Sequence, residues 1–235
     1  MDQPDLDERL HIDALRSLKR INFFSRSAGI LWPSIRRLAK QLKTDSLSVL
    51  DRASGGGDVP IALWLKARRA GLNLRIDGND ISPCAIDFAR EQAARASAQV
   101  RFEQRNVLDD PPAEPYDVVT CSLFLHHLNE EQAGLLLRTM AAVSRHLVLV
   151  NDLERSPLGF ALAKAATRIL SRCEVVWIDG PRSVEGAFTL TEALSLAERA
   201  GLNGAQIARR WPCRYLLSWA KPLATDGHAV QAPVS

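Results

Sequence analysis

From residue 47 onward the chain alternates short apolar runs with stretches of helical period, and this alternation constrains the fold more than any other feature. It is the pattern of βαβ units and a parallel sheet. Strands are expected at 47–50, 72–76, 100–104, 118–122 and 147–150, with helices between them at 59–69, 83–96, 129–143 and 157–170. A last helix at 191–200 precedes two apolar segments, 206–211 and 215–219, close enough in sequence to pair antiparallel. Seven strands result. The stretch 177–188 is punctuated by glycine and proline and reads as a lid, with Trp177 and Phe188 as its apolar parts.

Ahead of the alternation lies a helical prelude. Leu6, Leu10, Ile12, Leu15, Leu18 and Ile21 recur mostly at spacings of three and four, so a helix is expected over 5–24. Ser27 can cap a second helix reaching about residue 42. Ile30, Leu31, Ile35, Leu38 and Leu42 line one side of it, and Arg36, Arg37, Lys40 and Lys43 the other. That basic side is either simply solvated or a contact for a membrane surface or an acidic ligand.

At 235 residues the chain is long enough for one α/β domain with a small appendage, and 46% apolar with 24% charged residues excludes general disorder. The long apolar stretch 133–150 is interrupted by Arg138, Arg145 and His146, short of the ~20 uncharged residues a bilayer span needs. Residues 1–10 are acidic and lack the basic flank and apolar block of a secretory signal, so a cytoplasmic location is expected. Cys84, Cys121, Cys173 and Cys213 form neither a CxxC pair nor a His/Cys cluster, which leaves metal binding and disulfides without a signature. A net charge of +3 is too slight for a nucleic-acid face.

Ligands of open parallel sheets sit beyond the carboxyl ends of the strands. Strand one ends in Asp51-Arg-Ala-Ser-Gly-Gly-Gly-Asp58, where glycines between a strand and a helix let backbone approach a ligand closely. No Gly-Lys-Ser/Thr follows, so a P-loop is excluded. A dinucleotide fingerprint fits poorly, because Pro60 falls where its third glycine belongs and Asp58 would repel a pyrophosphate. A ligand with an amino-acid arm, a ribose and no phosphate fits better, its ammonium beside Asp51. S-adenosylmethionine has those parts. At the end of strand two, Asp80 rather than Asp77 is expected at the tip, since Ile81-Ser82-Pro83 reads as a turn and helix start; its carboxylate can accept from both ribose hydroxyls. After strand three, the Asn106 amide oxygen can meet an adenine amino group and the Val107 N–H a ring nitrogen.

The span from about residue 47 to 219 resembles the class I S-adenosylmethionine-dependent methyltransferases, especially the small-molecule branch that includes ubiquinone and menaquinone biosynthesis methylases. Leu50-Asp51-Arg52-Ala53-Ser54-Gly55-Gly56-Gly57 occupies the place of that family's Val-Leu-Asp-x-Gly-x-Gly-x-Gly, and Asn79-Asp80-Ile81-Ser82-Pro83 that of its second-strand acid. Asn106 stands at its acidic adenine contact, and Tyr116-Asp117-Val118-Val119 with Leu125-His126-His127-Leu128 resembles its fourth motif. The resemblance implies a Rossmann-like, seven-stranded, mostly parallel sheet with an antiparallel last strand, helices on both faces and an N-terminal helical cap. The chain is thus expected to divide into a cap (1–43), a methyltransferase domain (44–220) and, where Ala, Pro, Gly, Asp and Gln run without periodicity, a disordered tail (221–235). The resemblance implies S-adenosylmethionine as cofactor, with Asp51, Ala53, Gly55, Gly57, Asp80, Ile81, Asn106, Val107 and Ser122 as its contacts. The implied partner is a small-molecule acceptor, phenolic, quinone-like or polyketide, with transfer to oxygen ahead of transfer to carbon.

Ala53 departs from the family's first glycine, which costs roughly 1 kcal/mol or more if that position needs a positive φ. Asn106 replaces an acid, and Arg52 stands where a small apolar residue is usual. His126 and His127 follow strand four and are the candidate bases for a phenol proton, the alternative being pocket lining or helix capping. Asp152 ends strand five and is a candidate substrate contact together with Trp177; otherwise it caps the helix near Pro157. A nucleic-acid methylase would carry Asn or Asp followed by Pro-Pro and an aromatic after strand four, and Ser122-Leu-Phe-Leu lacks it. A non-catalytic binding module with the same fold is the alternative from another class.

Overall fold

The computed structural model describes residues 27–109, 114–170 and 174–222. The helix expected over 5–24, Cys173 and the tail from 223 lie outside the described residues. The elements are α1 (Ser27–Leu42), β1 (Ser46–Arg52), α2 (Asp58–Arg69), β2 (Asn73–Asp80), α3 (Pro83–Arg95), β3 (Val100–Gln104), β4 (Tyr116–Ser122), α4 (Glu130–Val143) and β5 (Ser144–Leu153). They continue with α5 (Pro157–Leu170), α6 (Glu174–Gly186), α7 (Leu190–Arg199), β6 (Gln206–Arg210) and β7 (Arg214–Ala220), and a 3₁₀ turn, Leu125–His127, lies between β4 and α4.

One sheet holds all seven strands in the order β3-β2-β1-β4-β5-β7-β6. Strands β1 to β5 pair in parallel, and β7 runs antiparallel to both β5 and β6. Strand order reverses between β1 and β4, and a crevice opens at such a switch point beyond the strand ends. Alternation divides the side chains between two layers. Val49, Val118, Leu149 and Leu216 pack under Leu31 and Ile35 of α1 and Leu63 of α2. Leu50, Val119, Val148, Val150 and Leu217 pack under Leu136, Leu137 and Met140 of α4 and Leu196 of α7. Burying such a side chain is worth roughly 1.5–3 kcal/mol, so these two stripes orient every strand end.

Caps define where helices begin. Asn129 and Gln132 form a reciprocal capping box on α4, Thr189 and Glu192 another on α7, and Ser82 accepts the Ala85 N–H at 3.2 Å with Pro83 opening α3. The helix expected from Ser27 is present, and Leu31 and Ile35 on it are wholly buried, so α1 shares the core of the sheet. Its basic side, Arg36, Arg37, Lys40 and Lys43, is exposed.

The stretch 177–188, expected as a Gly/Pro-punctuated lid, is not a loop. Most of it is helix α6, packed on α5 despite Pro181. Gly180 sits so close to α5 that a Cβ there would lie 2.4 Å from Thr167 Cγ2. The glycine marks close helix contact, not a loop. Phe188 belongs to the core beneath α4 and α7.

Candidate active site

The turn after β1 is built on left-handed backbone. Ala53, Gly55 and Gly57 have φ of 55°, 51° and 75°. Ala53 therefore adopts the conformation that its missing glycine would have favoured. A Cβ on Gly57 would fall 2.7 Å from Phe102 Cζ and 2.9 Å from Ala89 Cβ, whereas one on Gly55 would meet open space. The Ser54 N–H donates to the Asn79 carbonyl at 2.8 Å, and the Gly55 N–H to Asp80 Oδ2 at 2.8 Å, which ties the turn to the tip of β2. Inside this turn Asp51 is 1% exposed and accepts from Thr120 Oγ1 at 2.5 Å. Burial pushes its carboxyl up to about 7; hydrogen bonds from Thr120 and Ser54 oppose the rise, and Asp58 and Asp80 add to it.

Asp80 ends β2, while Asp77 lies back within the strand, paired with Leu50, and accepts from the Tyr116 hydroxyl at 2.9 Å. The Asp80 carboxylate also accepts from the Ser82 N–H at 3.0 Å, so both of its oxygens are oriented by backbone. Ile81 beside it is 62% exposed, an apolar surface at the strand tip. After β3, Asn106 Oδ1 accepts from the Leu108 N–H at 3.1 Å, and its amide donates to Asp109 at 2.5 Å, which shapes the loop. Val107 is buried, and its carbonyl accepts from the guanidinium of Arg52, itself 1% exposed. Arg52 thus clamps β1 to the loop after β3. Sequence reasoning missed this role and also Gly78, where a Cβ would lie 2.6 Å from Ser54 Oγ. The only signal for Gly78 was a glycine next to a strand tip.

Beyond β4 the backbone turns sharply, with Leu123 at φ 57° and its N–H donating to the Asn151 carbonyl at 2.9 Å. Strain of this kind, roughly 1–3 kcal/mol, persists only where surrounding contacts enforce it. The following 3₁₀ turn carries His126 and His127. His126 Nδ1 lies 2.6 Å from Asp152 Oδ1, with the two side chains 5% and 1% exposed. Asp152 also accepts from the N–H groups of Phe124 (3.1 Å), Leu125 (2.6 Å) and Leu153 (2.6 Å). Burial works to raise its carboxyl pKa, but His126 and the backbone donors outweigh this and hold it below the usual range.

Asp152, the candidate substrate contact, is thus buried and engaged by His126 and three backbone donors. The α5 N-terminus is served by Ser156, whose Oγ accepts from Gly159 N at 3.0 Å. Neither histidine caps α4, since Asn129 does. His127 is exposed, its ring centroid 4.2 Å from that of His126. Trp177, half-buried on α6, belongs to a helix whose far end reaches the 3₁₀ turn: a Cβ on Gly186 would meet the His126 carbonyl at 2.9 Å. Ser122 Oγ and both amide atoms of Asn151 are buried without a hydrogen-bond partner among the described residues. No group of three or more metal-ligating side chains occurs among the described residues.

Comparisons with known proteins agree with this geometry. Residues 49–146 match a family model described as a methyltransferase domain. A ubiquinone biosynthesis O-methyltransferase of Xanthomonas campestris pv. campestris is 26% identical over 200 residues, covering 79% of this chain and 80% of that protein. A demethylmenaquinone methyltransferase of Deinococcus radiodurans is 33% identical over 98 residues, covering 41% and 39%. The crystal structure of human N-acetylserotonin methyltransferase in complex with S-adenosylmethionine shares the fold with a TM-score of 0.66 at 17% identity, over 92% of this chain and 57% of that one. With its motifs in order along a sheet of this topology, the chain carries a methyltransferase domain over residues 49–146 and is similar over most of its length to S-adenosylmethionine-dependent methyltransferases.

Proposed function

We propose that this enzyme methylates the hydroxyl oxygen of a small phenolic, quinone-like or polyketide acceptor. The observation that carries the reading is the buried His126–Asp152 pair beyond β4 and β5. Because Asp152 stays ionised, it accepts Nδ1–H and leaves the Nε2 lone pair of His126 free to take a proton. Transfer to a phenol gains from such a base, typically ~10²–10⁴-fold.

The residues at the switch point suit the cofactor. Asp80 offers two oriented oxygens to a sugar diol, Ile81 an apolar face to adenine, the Asn106–Val107 loop polar groups at the ring edge, and Asp51 a carboxylate to an ammonium. The bound cofactor supplies a methyl group already attached to a good leaving group. The chain then has to place the acceptor oxygen in line with that methyl, keep water out and receive one proton. His126, at 5% exposure, does the last of these in a nearly dry setting. His127 lies toward solvent, where it can line the acceptor entrance.

The demethylmenaquinone methyltransferase among the relatives favours a second reading, transfer to a carbon of a quinone-type ring. Incubation with methyl-labelled cofactor and a panel of phenols, catechols and hydroquinones decides between them. An O-linked product whose formation collapses in His126→Ala is expected; a C-linked product, or full activity in that variant, refutes transfer to oxygen with His126 as base.

A further inference from the structure

The layer of the sheet opposite to His126 carries a second polar cluster that the proposed chemistry leaves unused. Arg214, the first residue of β7, is 3% exposed, and its Nη1 donates to Ser27 Oγ at the start of α1 at 2.6 Å. Among the described residues no carboxylate lies within ion-pair distance of it. Asp152 and Asp58 act on it only through the longer-range field, and burial pulls its pKa down to about 10. A guanidinium kept dry without an anion is costly, and natural proteins pair such charges or give them a ligand.

The neighbours on this layer are also unsatisfied. Leu153 pairs with Arg214 and Asn151 with Leu216, so strand alternation puts Asn151 on the Arg214 side; Ser122 pairs with Asn151 on the same layer. Both amide atoms of Asn151 and Ser122 Oγ are buried and lack a partner among the described residues. Thr120, two residues before Ser122, holds Asp51, so the row leads from the proposed ammonium site toward Arg214. A guanidinium fork, an amide and a hydroxyl, all dehydrated and at strand ends, form a donor set for a planar anion.

We propose that Arg214, with Ser27, Asn151 and Ser122, forms a carboxylate-binding pocket of the active site. The assignment rests on the cofactor reading above. Two sources share this chemistry: the carboxylate on the amino-acid arm of the cofactor, and an acid group on the acceptor. The position of the row, running from Asp51 across β4 and β5, suits the first, since an amino acid presents its ammonium and carboxylate side by side.

The test is isothermal titration of the full chain with three nucleosides. S-adenosylhomocysteine carries ammonium and carboxylate, its decarboxylated analogue only the ammonium, and 5′-methylthioadenosine neither. A charge-assisted contact predicts that the wild type prefers the first over the second by roughly 10–100-fold. Arg214→Met should erase that preference without weakening methylthioadenosine, and Arg214→Lys should restore part of it, which a purely structural role would not do. For the acceptor source, chain saturated with S-adenosylhomocysteine is titrated with 4-hydroxybenzoate and 4-hydroxybenzamide; a preference for the acid that needs Arg214 places the pocket there. If Arg214→Met fails to fold, judged by circular dichroism, Asn151→Ala is read for the same loss. Equal wild-type affinities within both pairs, or a preference that survives in the folded variants, overturn the pocket. Binding of none of the three nucleosides refutes the cofactor reading instead.

Discussion

Replacing Gly57 by alanine measures how tightly the turn after β1 is held against the sheet. The substitution meets two separate penalties. At φ 75° the new methyl clashes with its own backbone, at about 1–2 kcal/mol, as any L-residue would. It also lands 2.7 Å from Phe102 Cζ and 2.9 Å from Ala89 Cβ, and neither neighbour is free to retreat, being 3% and 0% exposed. Overpacking of that kind costs a further ~1–3 kcal/mol. The expected total is about 2–5 kcal/mol, a fall in Tm of roughly 4–20 °C for a chain of this size. Gly55→Ala is the internal control. Its φ is 51°, but the added methyl meets nothing within 4 Å, so only the backbone penalty of about 1–2 kcal/mol applies. Ala53→Gly runs the other way, relieving strain at φ 55° for a net gain of about 1 kcal/mol or less once unfolded-chain entropy is counted. Thermal and urea melts of the three variants without ligand provide the readout. Losses at Gly55 and Gly57 that agree within about 0.5 kcal/mol would mean that Phe102 does not limit the turn, and the steric argument would be wrong.

Asp51 should make stability fall as pH rises. Its folded-state pKa of about 7 lies above the unfolded value near 4, so the folded chain binds the extra proton in that window. Asp51→Asn is therefore expected to flatten the decline between pH 4 and 7, by up to about 4 kcal/mol, in urea melts across pH; an unchanged slope contradicts the burial argument. A cationic amino group arriving beside Asp51 should expel that proton, so titrations with S-adenosylhomocysteine near pH 6 in buffers of different ionisation enthalpy should report proton release to the buffer; none would place the ammonium elsewhere. Asp152→Asn should reduce kcat about as much as His126→Ala, on the order of 10²–10⁴-fold, because a neutral amide, which can donate as well as accept, neither fixes the Nδ1–H tautomer nor stabilises the imidazolium. Wild-type turnover in Asp152→Asn would remove His126 as the base. Arg52→Met leaves the Val107 carbonyl without its donor and is expected to cost about 1–3 kcal/mol and to weaken adenosine binding; a melt unchanged from wild type would show that the clamp carries no load.

How much of this was legible in advance depended on the range of the interactions involved. Hydrophobic period is a local property, so the alternation from residue 47 located every strand and all the helices of the βαβ succession to within a few residues. Local chemistry also placed Asp80 ahead of Asp77, because Ser82 and Pro83 begin a helix and leave residue 80 at the strand tip. The same local reading misjudged 177–188. Glycine and proline usually punctuate loops, but here Gly180 is required by the approach of Thr167 from α5, a contact that no window of sequence contains.

Single residues show the same division more sharply. His126 and Asp152 were separate candidates, 26 positions apart, and only the register that pairs Ser122 with Asn151 brings the ring and the carboxylate to 2.6 Å. The Arg52 guanidinium meets the Val107 carbonyl 55 positions away, a partner that no local pattern around residue 52 announces. Arg214 and Ser27, separated by 187 positions, meet only because β7 inserts beside β5 and α1 lies across that face. The amino-acid order alone determined which segments of the βαβ succession are strand or helix and where the chain turns on glycine after β1, since these follow from side-chain period and backbone freedom. The packed sheet decided which buried charges face one another, because that depends on strand order and register, and these are settled by the long-range burial of two apolar layers.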